Sequence, residues 1–167
     1  MTIAEGDITR LDVDVVVNAA NDRLAPGGGV CGAIHRAAGP ELAEACRRIG
    51  GCPTGEARLT PGFKLQAKYV IHAVGPVWNG GQANEDALLA SAYRHSLELA
   101  REHGAASIAF PAISTGIYGF PLARATGIAV KTVADFLRAN DAPARVVFSC
   151  FGADVADAYH KSLADIG

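Results

Sequence analysis

Short apolar runs of about four to six residues alternate with longer amphipathic stretches along this 167-residue sequence, and this alternation limits the possible folds most. The runs Val15–Val17 and Ile108–Phe110 are apolar on both faces, as expected of strands in a sheet that is covered by helices on both sides. Half of the residues are hydrophobic, so the chain can bury a substantial core. The alternation therefore predicts an α/β protein.

Six strands are predicted from the apolar runs. Their expected bounds are Thr2–Glu5, Val13–Val17, Glu56–Thr60, Tyr69–Val74, Ser107–Phe110 and Arg145–Cys150. Six strands with four or five helices in this order predict a three-layer α/β/α sandwich. The length fits one domain, residues 1–167, and is too short for two domains of ordinary size.

Apolar residues recur at intervals of three and four along three stretches of the chain, which predicts amphipathic helices. These stretches are Glu85–His103, 125–137 and 155–166. Asp154 precedes the last stretch and is expected to be its N-cap. Between Gly32 and Arg48 we expect one or two shorter helices, broken near Gly39 and Pro40.

The charge balance excludes whole classes of function. The chain has 15 Lys and Arg residues against 17 Asp and Glu residues, which argues against binding nucleic acid or an anionic membrane by bulk charge. No apolar run approaches the roughly 18–20 residues of a membrane span, and the first residues lack the pattern of a secretory signal. The four cysteines form no C-x-x-C pair, so we expect free thiols, no metal site and a cytoplasmic protein.

The loop after the second predicted strand, residues 18–32, carries three consecutive glycines before a helix. The segment Gly27–Gly29 lets the backbone approach a ligand closely and direct N–H groups at it, although a flexible surface loop is the plainer interpretation. Gly27, Gly29 and Gly32 also satisfy G-x-G-x-x-G. About nine residues separate them from the strand, however, which counts against an NAD-dependent oxidoreductase.

The loop after the fifth predicted strand, residues 111–120, is a second feature of this kind. Its small residues expose several backbone amides, and Tyr118 offers a flat face for a sugar or a base. The alternative is a plain β–α turn with one aromatic side chain over the core. Both loops follow neighbouring strand ends, where α/β sheets bind ligands, and little positive charge surrounds them. Together they predict an uncharged cleft for a pyrophosphate.

Six sequence motifs resemble those of one known family, in the order and at the spacing of that family. They are Gly6–Thr9, Val17–Asn21, Gly27–Val30, Gly32–His35, Val70–Pro76 and Phe110–Gly119. This series is similar to that of bacterial-type macrodomains of the MacroD group. The resemblance implies a six-stranded mixed sheet between helices and a cleft for ADP-ribose. It also implies a hydrolase that removes ADP-ribose from acidic side chains and deacetylates O-acetyl-ADP-ribose, without a metal ion or a dissociable cofactor.

The resemblance also implies roles for individual residues. Asp7 is expected to accept the adenine amino group, with the Ile8 backbone beside the ring and Phe151 packed on it. Asn21 is expected to bind and orient the distal ribose. The other expected ligand-binding residues surround the phosphates and the distal ribose: Ala20, Gly29, Val30, Cys31, Gly32, Ser114, Thr115, Gly116, Ile117 and Tyr118. Plainer roles stay open for three of these residues: Asp7 as a turn or cap residue, Asn21 as a left-handed turn residue, and Phe151 as part of the core.

Cys31 stands where hydrolytic members of the family usually carry an aspartate, and Pro26 where a further glycine is common. A thiol is a poor hydrogen-bond acceptor, and little of an ordinary thiol is ionised at neutral pH. Three roles of Cys31 stay open: a spacer beside a water molecule, a general base or nucleophile, or a substitution in a domain that binds ADP-ribose without hydrolysing it. His35, on the following helix, is expected to be structural. The sequence does not identify the linkage, and ADP-ribose on a nucleic-acid base stays among the candidates.

Overall fold

Six strands form one mixed sheet in the computed structural model, which describes residues 1–167. The strands are β1 (Thr2–Glu5), β2 (Val15–Ala19), β3 (Ala57–Pro61), β4 (Tyr69–Ala73), β5 (Ser107–Phe110) and β6 (Arg145–Cys150). Their order across the sheet is β1-β6-β5-β2-β4-β3. Strand β3 runs antiparallel to β4, and every other pair of neighbours is parallel. The expected six-stranded mixed sheet is confirmed.

Five helices cover the two faces of the sheet, and a short 3-10 helix (Ile8–Arg10) follows β1. The helices are α1 (Gly29–Ala38), α2 (Pro40–Ile49), α3 (Glu85–Glu102), α4 (Leu122–Ala139) and α5 (Ala153–Ile166). Side chains of α1 and α2 pack on one face of the sheet, and side chains of α3, α4 and α5 form a larger apolar cluster on the other. The predicted three-layer sandwich is confirmed. None of the helices is both long and apolar enough to cross a membrane.

The break between the first two helices lies where the sequence predicts it. Helix α1 ends before Gly39, whose φ of +90° favours glycine, and Pro40 begins α2, where its missing N–H needs no partner. The start of α5 differs from the prediction. Gly152, with a φ of +98°, is the N-cap, and Asp154 lies in the first turn without a capping hydrogen bond. The chain turns into α5 directly after β6, so the helix begins before Asp154.

Strand β2 begins two residues later than predicted and ends two residues later. Asp14 stands outside the strand because its N–H donates to Ser107 Oγ at 2.8 Å and its carboxylate accepts from the Ala106 N–H at 2.8 Å. The strand continues through Asn18, a polar residue that is only 1% exposed, because the Asn18 amide donates to Nδ1 of buried His72 at 3.0 Å. The loop that follows therefore begins two residues later than predicted, and it also ends earlier, because α1 begins at Gly29.

A chain of buried hydrogen bonds continues from Asn18 through His72 towards the edge of the sheet. Because Nδ1 of His72 accepts from Asn18, its proton is on Nε2, which donates to Thr60 Oγ1 at 3.0 Å. The Thr60 hydroxyl donates in turn to Pro61 O at 3.2 Å. Burial lowers the pKa of His72 to about 3, with a smaller contribution from His35, so the imidazole is neutral at physiological pH.

Candidate functional site

Two loops at one edge of the sheet enclose a cleft. The first loop (residues 20–28) follows β2, and the second loop (residues 114–120) comes after β5, the neighbour of β2 in the sheet. Both loops stand at the carboxyl ends of their strands and lead into helices, α1 and α4. The cleft has a volume of about 720 Å³ and is lined by both loops, by residues 111–113 and by Phe151 after β6. The structure thus brings the two glycine-containing loops of the sequence together.

The start of α1 presents unpaired backbone donors to this cleft. The Gly32 N–H donates to Gly28 O at 3.2 Å, the first hydrogen bond of the helix. The N–H groups of Gly29, Val30 and Cys31 precede it and have no partner within the protein. Such a helix N-terminus favours an anion, because the helix dipole adds positive charge to the free N–H groups. The Gly32 N–H, which we expected to bind a ligand, is used within the helix instead.

The second loop adds unpaired donors on the other side of the cleft. They are the backbone N–H groups of Ser114, Gly116, Ile117 and Tyr118. The Thr115 N–H, which we expected among them, donates to Ala112 O at 3.3 Å as part of a turn. The Ile117 side chain projects from the tip of the loop and is fully exposed. Backbone donors therefore face the cleft from both loops.

Ser114 begins the second loop in a backbone conformation that residues other than glycine rarely adopt. Its φ is +69°, and its buried hydroxyl has no hydrogen-bond partner within the protein. Gly75 lies so close that a Cβ atom at position 75 would overlap with Ser114 Oγ. Strain of this kind persists only where surrounding contacts enforce it, and it is common at ligand-binding loops. The second loop therefore depends on its neighbours for its shape.

Asn21 closes the first loop with its side-chain amide. Nδ2 donates to Ala25 O at 2.9 Å, and Oδ1 accepts from the Ala25 N–H at 3.0 Å. The Asn21 backbone is not left-handed, so the interpretation as a left-handed turn residue is wrong. One N–H and one lone pair of the amide stay available, and the residue lines the cleft. Asn21 can therefore bind a hydroxyl group while it holds the loop.

Cys31 lies in the first turn of α1, underneath the first loop. Its side chain is 7% exposed, and Sγ lies 4.0 Å from Ala25 O, close to Gly27. No Asp, Glu or His side chain lines the cleft. His35 lies one turn further along α1, outside the lining, and burial lowers its pKa. General-base chemistry at this end of the cleft would therefore fall to Cys31, to water or to the ligand itself.

Phe151 stands at the opposite end of the cleft, whereas Asp7 is not among the residues that line it. The Phe151 side chain is 64% exposed and lines the cleft, so the interpretation as part of the core is wrong. Asp7 lies at the neighbouring strand end, because the Gly6 N–H donates to Cys150 O at 3.0 Å. Oδ1 of Asp7 accepts from the Thr9 hydroxyl at 2.7 Å and the Thr9 N–H at 2.9 Å, and these bonds lower the pKa of the carboxyl. Asp7 caps the 3-10 helix, and its Oδ2 makes no hydrogen bond.

Two of the expected residues belong largely to the core. The Ile8 side chain is 1% exposed and packs in the apolar cluster under α1 and α2, so only its backbone can border a ligand. Ala20 is 4% exposed and lines the cleft at the start of the first loop. Both residues therefore shape the site through packing rather than through a polar contact.

Arg36 is a charged residue of the cleft that sequence reasoning missed. It lies on α1 one turn after Gly32, and a Cβ atom placed on Gly32 would lie 3.1 Å from its Nη1. After the hydrogen bonds from Thr9, the charge of Arg36 is one of the smaller causes that lower the pKa of Asp7. The i, i+4 spacing of Gly32 and Arg36 was the available signal, because it puts both residues on one helix face. The prediction of an uncharged cleft is therefore wrong, because the lining includes one cation, Arg36.

The fold has counterparts among known proteins. Residues 17–129 match the model of the Macro domain family. A macro domain-containing protein of Methanosarcina mazei is 58% identical over 98% of this chain and 88% of its own length. The O-acetyl-ADP-ribose deacetylase of Escherichia coli is 52% identical over 99% of this chain and 96% of its own length. The Trypanosoma brucei macrodomain in complex with ADP-ribose has a TM-score of 0.90 and 44% identity, covering 96% of this chain and 68% of that one. This chain therefore belongs to the macro domain family.

Proposed function

We propose that this protein binds ADP-ribose in the cleft and hydrolyses a bond at its distal ribose. The proposed substrates are O-acetyl-ADP-ribose and mono-ADP-ribosyl groups on Asp or Glu side chains, with ADP-ribose on a nucleic-acid base as a further candidate. The observation that carries the proposal is the set of unpaired N–H groups on both sides of the cleft. The relatives from Escherichia coli and Trypanosoma brucei support the choice of ligand. No metal ion or dissociable cofactor enters the proposal.

The diphosphate of ADP-ribose fits the middle of the cleft. Its oxygens only accept hydrogen bonds, and the start of α1 and the second loop offer unpaired N–H donors. The dipole of α1 and the guanidinium of Arg36 add positive charge on the same side. A volume of about 720 Å³ lies within the usual range for a small-molecule site.

The two ends of the cleft differ in the way that the two ends of ADP-ribose differ. Phe151 presents an exposed aromatic face on which adenine can stack, and Oδ2 of Asp7 can accept from its amino group. At the other end, Asn21 keeps a donor and an acceptor, which suits a ribose hydroxyl. This difference supports a placement of the distal ribose beside Asn21 and Cys31.

The proposed reaction is the addition of water at the reacting carbon. For O-acetyl-ADP-ribose, water attacks the ester carbonyl carbon, the bond to the ribose oxygen breaks, and acetate and a ribose hydroxyl result. One proton of the water goes to the ribose oxygen, and the acetic acid that forms releases the other to solvent as it becomes acetate. We assign Cys31 the role of spacer, with the water oriented by Asn21 and activated by a phosphate oxygen of the ligand. The protein then contributes chiefly orientation and electrostatic support of the developing charge.

A reader module that binds ADP-ribose without hydrolysing it is the second candidate. The observation in its favour is the lining of the cleft, which has no carboxylate or imidazole. Cys31, where a catalytic aspartate is usual, points the same way. Binding and turnover therefore have to be measured separately.

One panel assay separates these functions. The purified protein is given O-acetyl-ADP-ribose, a peptide with Glu-linked ADP-ribose and a base-modified oligonucleotide, and free ADP-ribose is measured over time. Calorimetry with ADP-ribose is run in parallel. Gly116→Val is the control, because its side chain would enter the cleft. We expect micromolar binding, and release of ADP-ribose from at least one substrate by the unchanged protein only. Binding without release from any substrate would favour the reader, and no binding would contradict both functions.

A further inference from the structure

Residues 76–84, within the connection between β4 and α3, form no helix or strand, and we name them the Trp78 segment. Glu85, at the start of α3 and 1% exposed, holds it in place. The Glu85 carboxylate accepts from the backbone N–H groups of Asn79 at 2.8 Å, Gly81 at 2.9 Å and Ala83 at 2.6 Å. Burial raises the pKa of Glu85, but these hydrogen bonds together lower it to about 2. One ionised side chain thus organises the backbone of the whole segment.

The Trp78 ring is fixed on two sides by residues near the second loop. Its centroid lies 4.8 Å from that of Phe120, the last residue of the second loop. The Arg124 guanidinium lies over the ring, 5.2 Å from its centroid. Asp86 holds Arg124 through two hydrogen bonds, Nε to Oδ1 at 2.8 Å and Nη2 to Oδ2 at 2.6 Å. The ring therefore connects the start of α3 with the start of α4.

The Trp78 backbone makes a direct link to the second loop. Its N–H donates to Tyr118 O at 2.8 Å. No other hydrogen bond joins residues 114–120 to a segment outside residues 112–120. The bonds from Gly119 to Gly116 O and from Phe120 to Ser114 O lie within the loop. The bonds from Thr115 to Ala112 O hold the first residues of the loop next to the end of β5. The Trp78 N–H is therefore the one hydrogen-bond donor that reaches the loop from a distant segment.

We propose that Trp78, seated by Glu85 and Arg124, is a positioning residue that holds the second loop where its N–H groups reach the diphosphate and the distal ribose. The inference rests on the proposed ADP-ribose site. None of these three residues lines the cleft, so they act through Tyr118 and Phe120. Trp78 holds the carbonyl of Tyr118, and the N–H of Tyr118 has no partner within the protein and stays available to a ligand.

The test compares Glu85→Gln and Trp78→Leu with the control Glu102→Gln, an exposed residue at the end of the same helix. Calorimetry gives the affinity for ADP-ribose and for AMP, which lacks the distal phosphate and ribose. Both variants should weaken ADP-ribose by about tenfold or more, while AMP changes by less than about twofold, because adenine lies at the far end of the cleft. General destabilisation would weaken both ligands alike and would overturn the inference.

Amide hydrogen exchange provides a readout that needs no ligand. Exchange at residues 114–120 should accelerate in Glu85→Gln and Trp78→Leu, and exchange at the start of α1 should not. If Glu85→Gln fails to fold, Arg124→Gln replaces it, because Arg124 is an exposed side chain whose loss still frees one face of the ring. Wild-type affinity and wild-type exchange in the folded variants would overturn the inference. Absence of ADP-ribose binding by the unchanged protein would instead contradict the proposed function, and the exchange result would still decide the role of Trp78.

Discussion

The two loops of the cleft present similar backbone donors, but they are held in different ways. The first loop is closed by its own side chain, since Asn21 bonds both the N–H and the carbonyl of Ala25, and it runs directly into α1. The first loop also receives a backbone bond from outside, from the Cys52 N–H to Asp22 O at 2.8 Å, but it adds a side-chain restraint of its own. The second loop has no such side-chain restraint across residues 116–120 and receives its outside bond from Trp78.

Because of this difference, substitutions within the loops and substitutions far from them should affect ligand binding in different ways. A substitution in the first loop should change the contact and the shape of the loop together. In the second loop the contact can be removed at Gly116 without disturbing the shape, and the shape can be disturbed at Trp78 without removing a contact. Variants of the two loops should therefore divide between effects on stability and effects on binding.

The largest effect is expected from a side chain at the glycines that face the cleft. No atom lies within 4 Å of a Cβ at Gly116, and its φ is ordinary, so Gly116→Val should fold normally and lose ADP-ribose binding. Gly29 has a φ of +56°, so Gly29→Val should lose binding and also about 1–2 kcal/mol of unfolding free energy. Calorimetry and denaturant unfolding measure the two losses. A folded Gly116→Val that binds ADP-ribose normally would mean that the ligand does not lie between the loops.

Asn21→Ala should reduce turnover next most strongly. The variant loses both hydrogen bonds to Ala25 together with the proposed contact to the distal ribose. Misplacement of a reacting group by about 1 Å can cost about 10²-fold in rate. Asn21→Asp keeps the acceptor for the Ala25 N–H and should retain more of the loop. Single-turnover kinetics on O-acetyl-ADP-ribose compare the two. An Asn21→Ala variant as active as the unchanged protein would remove Asn21 from the reaction.

Asp7→Ala should weaken ADP-ribose by about 1.5–3 kcal/mol, the usual value for a hydrogen bond to a charged group. Part of any loss of affinity in this variant comes from the loss of the two hydrogen bonds by which Asp7 caps the 3-10 helix at Thr9. Asp7→Asn separates the two, because the asparagine keeps one acceptor for Thr9 and replaces Oδ2 with a donor. It should stay as stable as the unchanged protein and still bind weakly. Full affinity in Asp7→Asn would leave Asp7 with a capping role alone.

The smallest change is expected at Cys31. As a spacer, Cys31→Ala should stay within about threefold of normal turnover, and Cys31→Asp should raise it unless Pro26 holds the loop unfavourably. A thiol that acts as base or nucleophile would instead lose about 10²-fold or more in Cys31→Ala, and ADP-ribose would protect it from alkylation. A dead Cys31→Ala beside an active Asn21→Ala would make the cysteine, rather than the asparagine, the centre of the reaction.

Low pH should disturb the support of the second loop, because that support depends on the ionised carboxylate of Glu85. The pKa of Glu85 in the folded protein is lowered to about 2 from an ordinary 4.5. The contribution of its carboxylate to the stability of the fold is therefore complete above about pH 4.5 and is lost as the pH falls through 2. The emission of Trp78, the only tryptophan, should therefore shift between these pH values. Glu85→Gln should show no such shift. A shift that persists in Glu85→Gln would assign it to another carboxyl group.

The sequence predicts most of the fold because its signals are local. Apolar runs locate all six strands, and the Gly39 and Pro40 pair separates α1 from α2. The errors arise where tertiary contacts determine the bounds of an element. In β2, hydrogen bonds with Ala106 and Ser107 at the start of β5 hold Asp14 outside the strand. The helical spacing of Gly32 and Arg36 on α1 could have indicated that Arg36 faces the cleft, but Arg36 was not predicted.

The candidate site divides in the same way. Glycine content marks both loops, but which N–H groups are free depends on turns that the sequence does not specify, as Thr115 and Gly32 illustrate. Trp78 gave no signal, because its link to Tyr118 joins segments forty residues apart and uses a backbone group that every residue but proline has. A contact of this kind can be recognised only from the three-dimensional positions of both segments.

The buried hydrogen bonds between Asn18, His72 and Thr60 also decide how three strands align. Asn18 is paired with His72 across β2 and β4, and side chains alternate between the faces of a sheet. Sliding β2 by one residue would turn the Asn18 amide towards the apolar cluster under α3 and α4, where it has no partner. The observed register pairs the Asn18 Nδ2 with His72 and His72 with Thr60. Asn21 follows three residues later, so the same register fixes the point at which the chain leaves the sheet and enters the lining of the cleft.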